Sequence, residues 1–191
     1  MARARAYTRE ELLDATEQLI VIHGYESFRI KLLSDKLSGA RSTIYEYFSN
    51  KEEIIAACMR RSMDNILQAC AGLEQLDALT AIKQMLYIFL ERADMHKLVS
   101  MVPKVNHKAS DKVQTEMQIL DQGHERLKLM IQSIFERARA EGLIRADIPL
   151  PVMTAVFFHA IDTPNWMKLP TEQWAELLFS IWWNGGSSEN S

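Results

Sequence analysis

Apolar residues recur along this chain at spacings of three and four, and nowhere do they settle into alternation between hairpin turns. That pattern restricts the fold to packed helices, because a period of 3.6 lays an apolar stripe along a helix whereas a half-buried strand needs a period of two. Leu12, Ala15, Leu19 and Ile22 form the first stripe and predict a helix from about Thr8 to His23. Thr8 followed by Glu11 is a capping box, and Gly24 stands where a glycine ends a helix. Two short runs come next, 30–37 with Ile30, Leu33 and Leu37 on one face, and 41–47 anchored by Ile44 and Phe48. Ser38-Gly39-Ala40 separates them. Ser49 or Asn50 then caps a long helix reaching about Cys70. Helical patterns continue over roughly 77–94, 110–140, 149–163 and 171–184, with a shorter piece in 95–107 interrupted by Pro103 and a stop at Gly142. The expected fold is all-α, with about nine helices.

Charge is distributed unevenly. The chain as a whole carries a formal net charge of -3, which argues against an extended nucleic-acid surface. Residues 1–61 nevertheless hold ten Lys/Arg against nine Asp/Glu, and residues 27–51 hold five bases against Asp35 and Glu46 alone. A local basic edge on an acidic protein fits a confined contact with phosphates.

Two short helices joined by a small-residue turn and braced by a longer helix fit a local bend in an ordinary helical bundle, but they also match a helix-turn-helix, whose second helix is the candidate major-groove reader. Its outward residues are Arg41, Ser42, Thr43 and Glu46, with Tyr45 and Tyr47 at the margins facing the phosphate backbone. Arg41 is the one long donor able to address guanine O6 and N7 together. Lys51, opening the following helix, adds an ammonium to the N–H groups there. The turn is unusual: Gly39 supplies no apolar plug, and Ala40 has no side-chain oxygen with which to cap.

Residues 8–58 resemble the DNA-binding domain of TetR/AcrR-type transcriptional regulators. The resemblance is carried by Gly24-Tyr25 and above all by STIYEYFSNKEEII, which is similar to that family's threonine-leucine-tyrosine-x-x-phenylalanine … lysine-glutamate signature. ARAEGLIRADIP, ahead of the last two helices, also fits the family's rhythm. The resemblance implies that Arg41, Ser42 and Thr43 face bases while Tyr45, Tyr47 and Lys51 touch phosphates. Arg29 falls where the family prefers a threonine that caps the second helix and contacts backbone. Arginine cannot accept a hydrogen bond as a cap but can reach a phosphate. Ser38-Gly39-Ala40 departs from the usual glycine-valine-serine turn.

The resemblance also implies a body that encloses a small-molecule site and dimerises through its last helices. Met59, Met63, Met85, Met101, Met117 and Met130 could line an adaptable apolar cavity or simply fill core. Phe89, His124 and Trp166 are further pocket candidates, each offering an aromatic surface or a polar handle. Residues 152–163 and 174–183 are apolar all round, which suits burial on two faces, once within the protomer and once across a two-fold axis, the competing reading being a central core helix with no partner. Val156, Phe157, Ala160, Leu178, Ile181 and Trp182 are the expected interface contributors. The domain organisation expected is 1–50 for the helix-turn-helix domain, 51–185 for the ligand-binding and dimerisation body, and 186–191 for a flexible tail.

Other chemistry finds little footing. The five histidines show no ligand spacing with Cys or acids, Cys58 and Cys70 read as buried thiols, and no nucleophile–base set or phosphate loop is present. Neither an enzyme nor a bound metal or cofactor is expected. No run approaches a membrane span and MARARAY is followed by no apolar segment, so a reduced cytoplasmic setting is the default. The function expected is a ligand-responsive homodimeric repressor of a palindromic duplex, answering to a small hydrophobic or aromatic effector. The alternative is a helical dimeric interaction protein that has lost specific DNA reading or ligand response.

Overall fold

A computed structural model of the chain describes residues 7–94, 98 and 101–186. Eight α-helices are delimited among them: α1 (Arg9–Ser27), α2 (Ile30–Lys36), α3 (Arg41–Tyr45), α4 (Lys51–Ala69), α5 (Ala78–Glu91), α6 (Asp111–Ala140), α7 (Leu150–His159) and α8 (Thr171–Gly186). Of the helical piece expected within 95–107, residues 95–97, 99 and 100 lie outside the described residues, and in its described part Val102–Lys104 form a 3-10 turn around Pro103. Of the expected tail, residues 187–191 also lie outside them.

The predicted helix ends have the chemistry their residues dictate. Thr8 Oγ1 accepts the Glu11 N–H at 3.2 Å and Glu11 Oε2 accepts the Thr8 N–H at 2.7 Å, closing the capping box. These bonds hold the Glu11 carboxyl below its ordinary pKa. Gly24, at φ 75°, interrupts α1, and a final turn carries Tyr25 and the fully buried Phe28 inward. Asp77 caps α5 by accepting the Thr80 N–H at 2.9 Å. The first stripe needs one correction. Ile22 is 69% exposed, and the buried face of α1 is Leu12, Leu13, Ala15, Thr16, Leu19 and Ile20. At about 100° per residue, Ile22 has rotated roughly a quarter turn off the centre of that face. Thr16 can sit inside because its hydroxyl donates to Leu12 O at 2.7 Å.

The chain divides into two compact units. The first comprises the described residues up to Asn65 together with Asp94–Gly123. Its core is built from Leu12, Leu13, Ile20, Phe28, Leu33, Ile44, Ile54 and Ile55. Arg61 of α4 ties α1 down by reaching Glu10 at 2.9 Å, Asp14 at 2.8 Å and Glu17 at 2.9 Å. Burial works against the Arg61 charge, but the bonds to Glu10 and Glu17 outweigh it and hold the guanidinium protonated.

The second unit comprises Ile66–Ala93 and the described chain from His124 onward. It packs α5 against α8 and centres on an aromatic cluster. Phe135 and Trp182 each lie 5.3 Å from Phe157, at nearly perpendicular ring angles of 76° and 75°. Edge-to-face contacts of this kind align the positive ring edge with the negative face of its neighbour. Trp182 Nε1 donates to Met153 O at 3.3 Å, so its polar edge is also satisfied. The cysteines are free and buried, one in each unit. Burial pushes the Cys58 thiol well up and that of Cys70 to about 11.

Candidate functional site

The two short helices meet through a tightly specified turn. The Ser38 N–H donates to Asp35 O at 3.3 Å and the Gly39 N–H to Ser34 O at 3.1 Å, the crossed pair of a Schellman motif ending α2. The left-handed position in that motif belongs to Ser38, at φ 52°, where a glycine normally stands. Gly39 has a different reason to lack a side chain: the ring of Tyr7 fills the space where one would be.

Beyond the turn, α3 rests on Ile44, fully buried, and on Phe48 just past its end. Arg41, Ser42 and Glu46 are exposed, Thr43 is half-buried, and Tyr45 is 52% exposed. Arg41, Ser42 and Thr43 therefore form one short outward edge at the N-terminal end of the helix. Ala40 offers no side-chain cap there.

The flanking candidates have individual surroundings. Arg29 makes no cap for α2. Its guanidinium instead donates to Glu26 O and, at 2.8 Å, to Phe28 O, which fixes the α1–α2 junction. Tyr47 donates its hydroxyl to Tyr7 O at 2.9 Å, which leaves that one proton unavailable to a phosphate. Lys51 Nζ lies 4.5 Å above the ring of Tyr25, and the Tyr25 hydroxyl donates to Glu52 Oε2 at 2.8 Å. Burial, with the Glu52 carboxylate, pushes the Tyr25 phenol far above its ordinary range, so it persists as a donor. The start of α4 is well capped: Asn50 Oδ1 accepts the Glu53 N–H and Glu53 Oε2 accepts the Ser49 N–H, both at 2.9 Å. Glu53, only 4% exposed, also accepts the Ser110 hydroxyl at 2.9 Å.

The pocket candidates scatter. Met59, Met63 and Met117 are buried in the first unit, and Met85 and Phe89 in the second, all as core side chains. Met101 and Met130 are half-buried, and Trp166 is 84% exposed. His124 lines an open groove of about 710 Å³ in the second unit, between α6 and α7. Leu127, Ile131, Leu150 and Phe158 give this groove an apolar floor, with Lys128, Gln132 and Glu136 on its α6 side. Met59, Met63, Met85 and Met117 fill core because unbranched side chains suit irregular gaps there as well as they suit a cavity.

The expected interface residues divide between two faces. Phe157, Leu178 and Trp182 point into the core of the second unit. Val156 is 56% exposed, Ile181 is 73% exposed, and Ala160 is half-buried. Val152 and Leu177 extend the exposed strip, which borders a second groove of about 420 Å³ between α7 and α8. Two features escaped the sequence reading. Tyr7 was signalled only by being aromatic directly before a cap, and the Arg61 clamp only by Glu10, Asp14 and Glu17 sharing one helix face.

Comparison with known proteins agrees with this architecture. Residues 12–58 match the family model described as bacterial regulatory proteins, tetR family. The HTH-type transcriptional repressor AcnR of Corynebacterium diphtheriae is 20% identical over 157 residues, covering 81% of this chain and 77% of that protein. The ketosteroid transcriptional regulator KstR2 of Mycobacterium tuberculosis superposes with a TM-score of 0.77 at 12% identity, covering 97% of this chain and 100% of that one. AibR, solved in complex with isovaleryl coenzyme A and operator DNA, gives a TM-score of 0.71 at 16% identity over 91% of this chain and 96% of its own. The match to the tetR family model spans the helix-turn-helix, and the all-α fold is shared along nearly the whole length of the chain with solved TetR-family regulators.

Proposed function

We propose that the protein is a ligand-responsive homodimeric repressor that reads a palindromic duplex through α3. The observation that carries this is the outward edge Arg41–Ser42–Thr43, set on a helix whose opposite side is buried through Ile44. A dimer presents two such edges to successive major-groove turns, which matches a two-fold site. Arg41 supplies the fork for guanine, and Ser42 and Thr43 supply short hydroxyls to neighbouring base edges. Tyr45, Lys51 and Arg29 are assigned to phosphates. Tyr47 contributes by bracing α3 from behind. Regulation rather than catalysis is the role of the family. Among the described residues no cluster of His, Cys, Asp or Glu could hold a metal ion, and no helix is long and apolar enough to cross a membrane.

The strip Val152, Val156, Leu177 and Ile181 supports the homodimer, because exposed branched apolar side chains on two adjacent helices call for a cover. The effector is assigned to a small apolar or aromatic molecule in the groove beside His124. AibR, a structural relative, was solved with an acyl-coenzyme A and DNA together, which favours looking for such coupling here. A ligand shifts DNA affinity only as far as it prefers one conformation over the other.

Selection of bound duplexes from a random pool, followed by titration at two salt concentrations, tests the reading. The expected result is an enriched inverted repeat whose preference over scrambled DNA falls by about tenfold or more in Arg41→Ala, the value of one bidentate base contact. Equal binding to every duplex would instead favour a dimeric interaction protein that has lost specific reading.

A further inference from the structure

We infer that Tyr7 is a positioning residue for DNA reading, supplying from outside the turn the packing that Gly39 lacks; this rests on the DNA-reading role proposed for α3. A Cβ built on Gly39 would lie 2.7 Å from Tyr7 Cζ and closer still to Cε1, inside the space of the ring. No side chain fits at residue 39 while Tyr7 is in place. Gly39 and Tyr7 are thus a matched pair, and the tyrosine is only 6% exposed despite standing ahead of the first helix.

The polar atoms of Tyr7 bracket α3 at both ends. Its hydroxyl donates to Ala40 O at 2.8 Å, one residue before the helix starts. Its carbonyl accepts from the Tyr47 hydroxyl at 2.9 Å, two residues after the helix ends. Such anchoring matters because a helix of five residues has no stability of its own, and its first turn has no side-chain cap. Ile44 and Phe48 hold α3 from beneath, which fixes its depth. Tyr7 holds its N-terminal edge, where Arg41 leaves the helix, and so fixes its direction. Base contacts depend on that direction to within a fraction of an ångström, whereas phosphate contacts tolerate a shift. Tyr7 therefore acts on selectivity more than on total affinity.

The test is a mutant cycle in the full chain, using the duplex that the wild-type protein enriches and a scrambled control. Tyr7→Ala is expected to lower the enriched-to-scrambled affinity ratio about tenfold, with salt-dependent binding to scrambled DNA nearly unchanged. Tyr7→Phe keeps the ring and loses only the hydroxyl, so its ratio falls by a smaller factor. Gly39→Val alone is also expected to fail, because the ring and the new side chain compete for one space. Combining Tyr7→Ala with Gly39→Val places the plug on the turn itself and restores most of the selectivity. The unchanged binding to scrambled DNA separates positioning from loss of folding, and the rescue shows that the two changes share one space, since independent changes would add. Full selectivity in Tyr7→Ala, or a double variant as poor as both singles together, overturns the role of Tyr7 while leaving DNA reading intact. A wild-type chain that enriches no duplex overturns the DNA reading and this inference with it.

Discussion

Ile181 offers the sharpest test of the proposed dimer, because its side chain does little within its own protomer. It is 73% exposed, whereas its neighbour Trp182 is 7% exposed and packs against Phe157. Burying an isoleucine side chain fully is worth about 1.5–3 kcal/mol, so covering the exposed three quarters is worth about 1–2 kcal/mol. A two-fold axis counts each residue twice, giving about 2–4 kcal/mol per dimer. At 1.4 kcal/mol per factor of ten, Ile181→Ala should weaken dimerisation by about 30-fold to several hundredfold. Ile181→Glu adds the cost of desolvating two carboxylates near the axis and should leave monomers at micromolar concentration. Sedimentation across a dilution series measures both, with helix content and unfolding of the protomer as controls. Phe157→Ala provides the contrast: fully buried, it should cost about 3–5 kcal/mol of folding stability. An Ile181→Glu protein that sediments as the wild-type dimer at every dilution would refute the assignment of this strip.

Two further outcomes follow from local chemistry. Ser38→Gly relieves a left-handed residue at the end of α2, a strain of about 1–2 kcal/mol that the greater freedom of glycine in the unfolded chain partly cancels. A rise of about 1–3 °C in thermal midpoint is expected; a fall would show that the serine side chain matters more than its backbone. Glu17 is the second case. Burial raises its pKa above the ordinary 4.5, although Arg61 lies 2.9 Å away, because one guanidinium shared among three carboxylates returns less than the lost water. A carboxyl with a raised folded pKa adds stability at low pH and loses it as pH climbs through that value. Glu17→Gln should therefore be more stable than wild type at pH 7, with the advantage fading as the pH falls through the raised value and gone by pH 4.5. Urea midpoints at the two pH values check this, and a less stable glutamine variant at pH 7 would contradict it.

What the sequence made legible was local, and what it hid was remote. Caps act within one turn, so Thr8 with Glu11 and Asn50 before α4 could be read directly, as could the anchors Ile44 and Phe48 at a spacing of four. The departure of the turn at Gly39 was also visible. Its remedy was not, because the Tyr7 contacts span 33 and 40 residues and no periodicity encodes them. Arg61 is similar: the acidic face of α1 was present in the sequence, but its partner lies 44 residues beyond Glu17. The methionines show a different limit. Met85 in core and a methionine lining a cavity have the same composition and the same helical spacing, so only packing separates them. Ile22 shows the limit of periodicity itself, since steps of three and four accumulate a rotation that carries the last residue off the face.

The sequence presents 152–163 and 174–183 as apolar on every side, which one neighbour cannot satisfy. The protomer uses one stripe of each helix: Met153 and Phe157 on α7, Leu178 and Trp182 on α8, each pair four residues apart. One residue earlier runs a second stripe, Val152 with Val156 and Leu177 with Ile181, also at spacings of four and exposed. Adjacent stripes lie about 100° apart around a helix, and here the protomer covers one of them and leaves the other exposed. Phe157 is buried within the protomer while Val156, its neighbour in sequence, stays exposed. The inner stripe is closed by the aromatic contacts of Phe135, Phe157 and Trp182, and the outer one lies beside it without a cover in the protomer. Under the proposed dimer, a second copy covering this surface would satisfy both helices at once, and two-fold symmetry is also what a palindromic duplex asks of a dimeric reader.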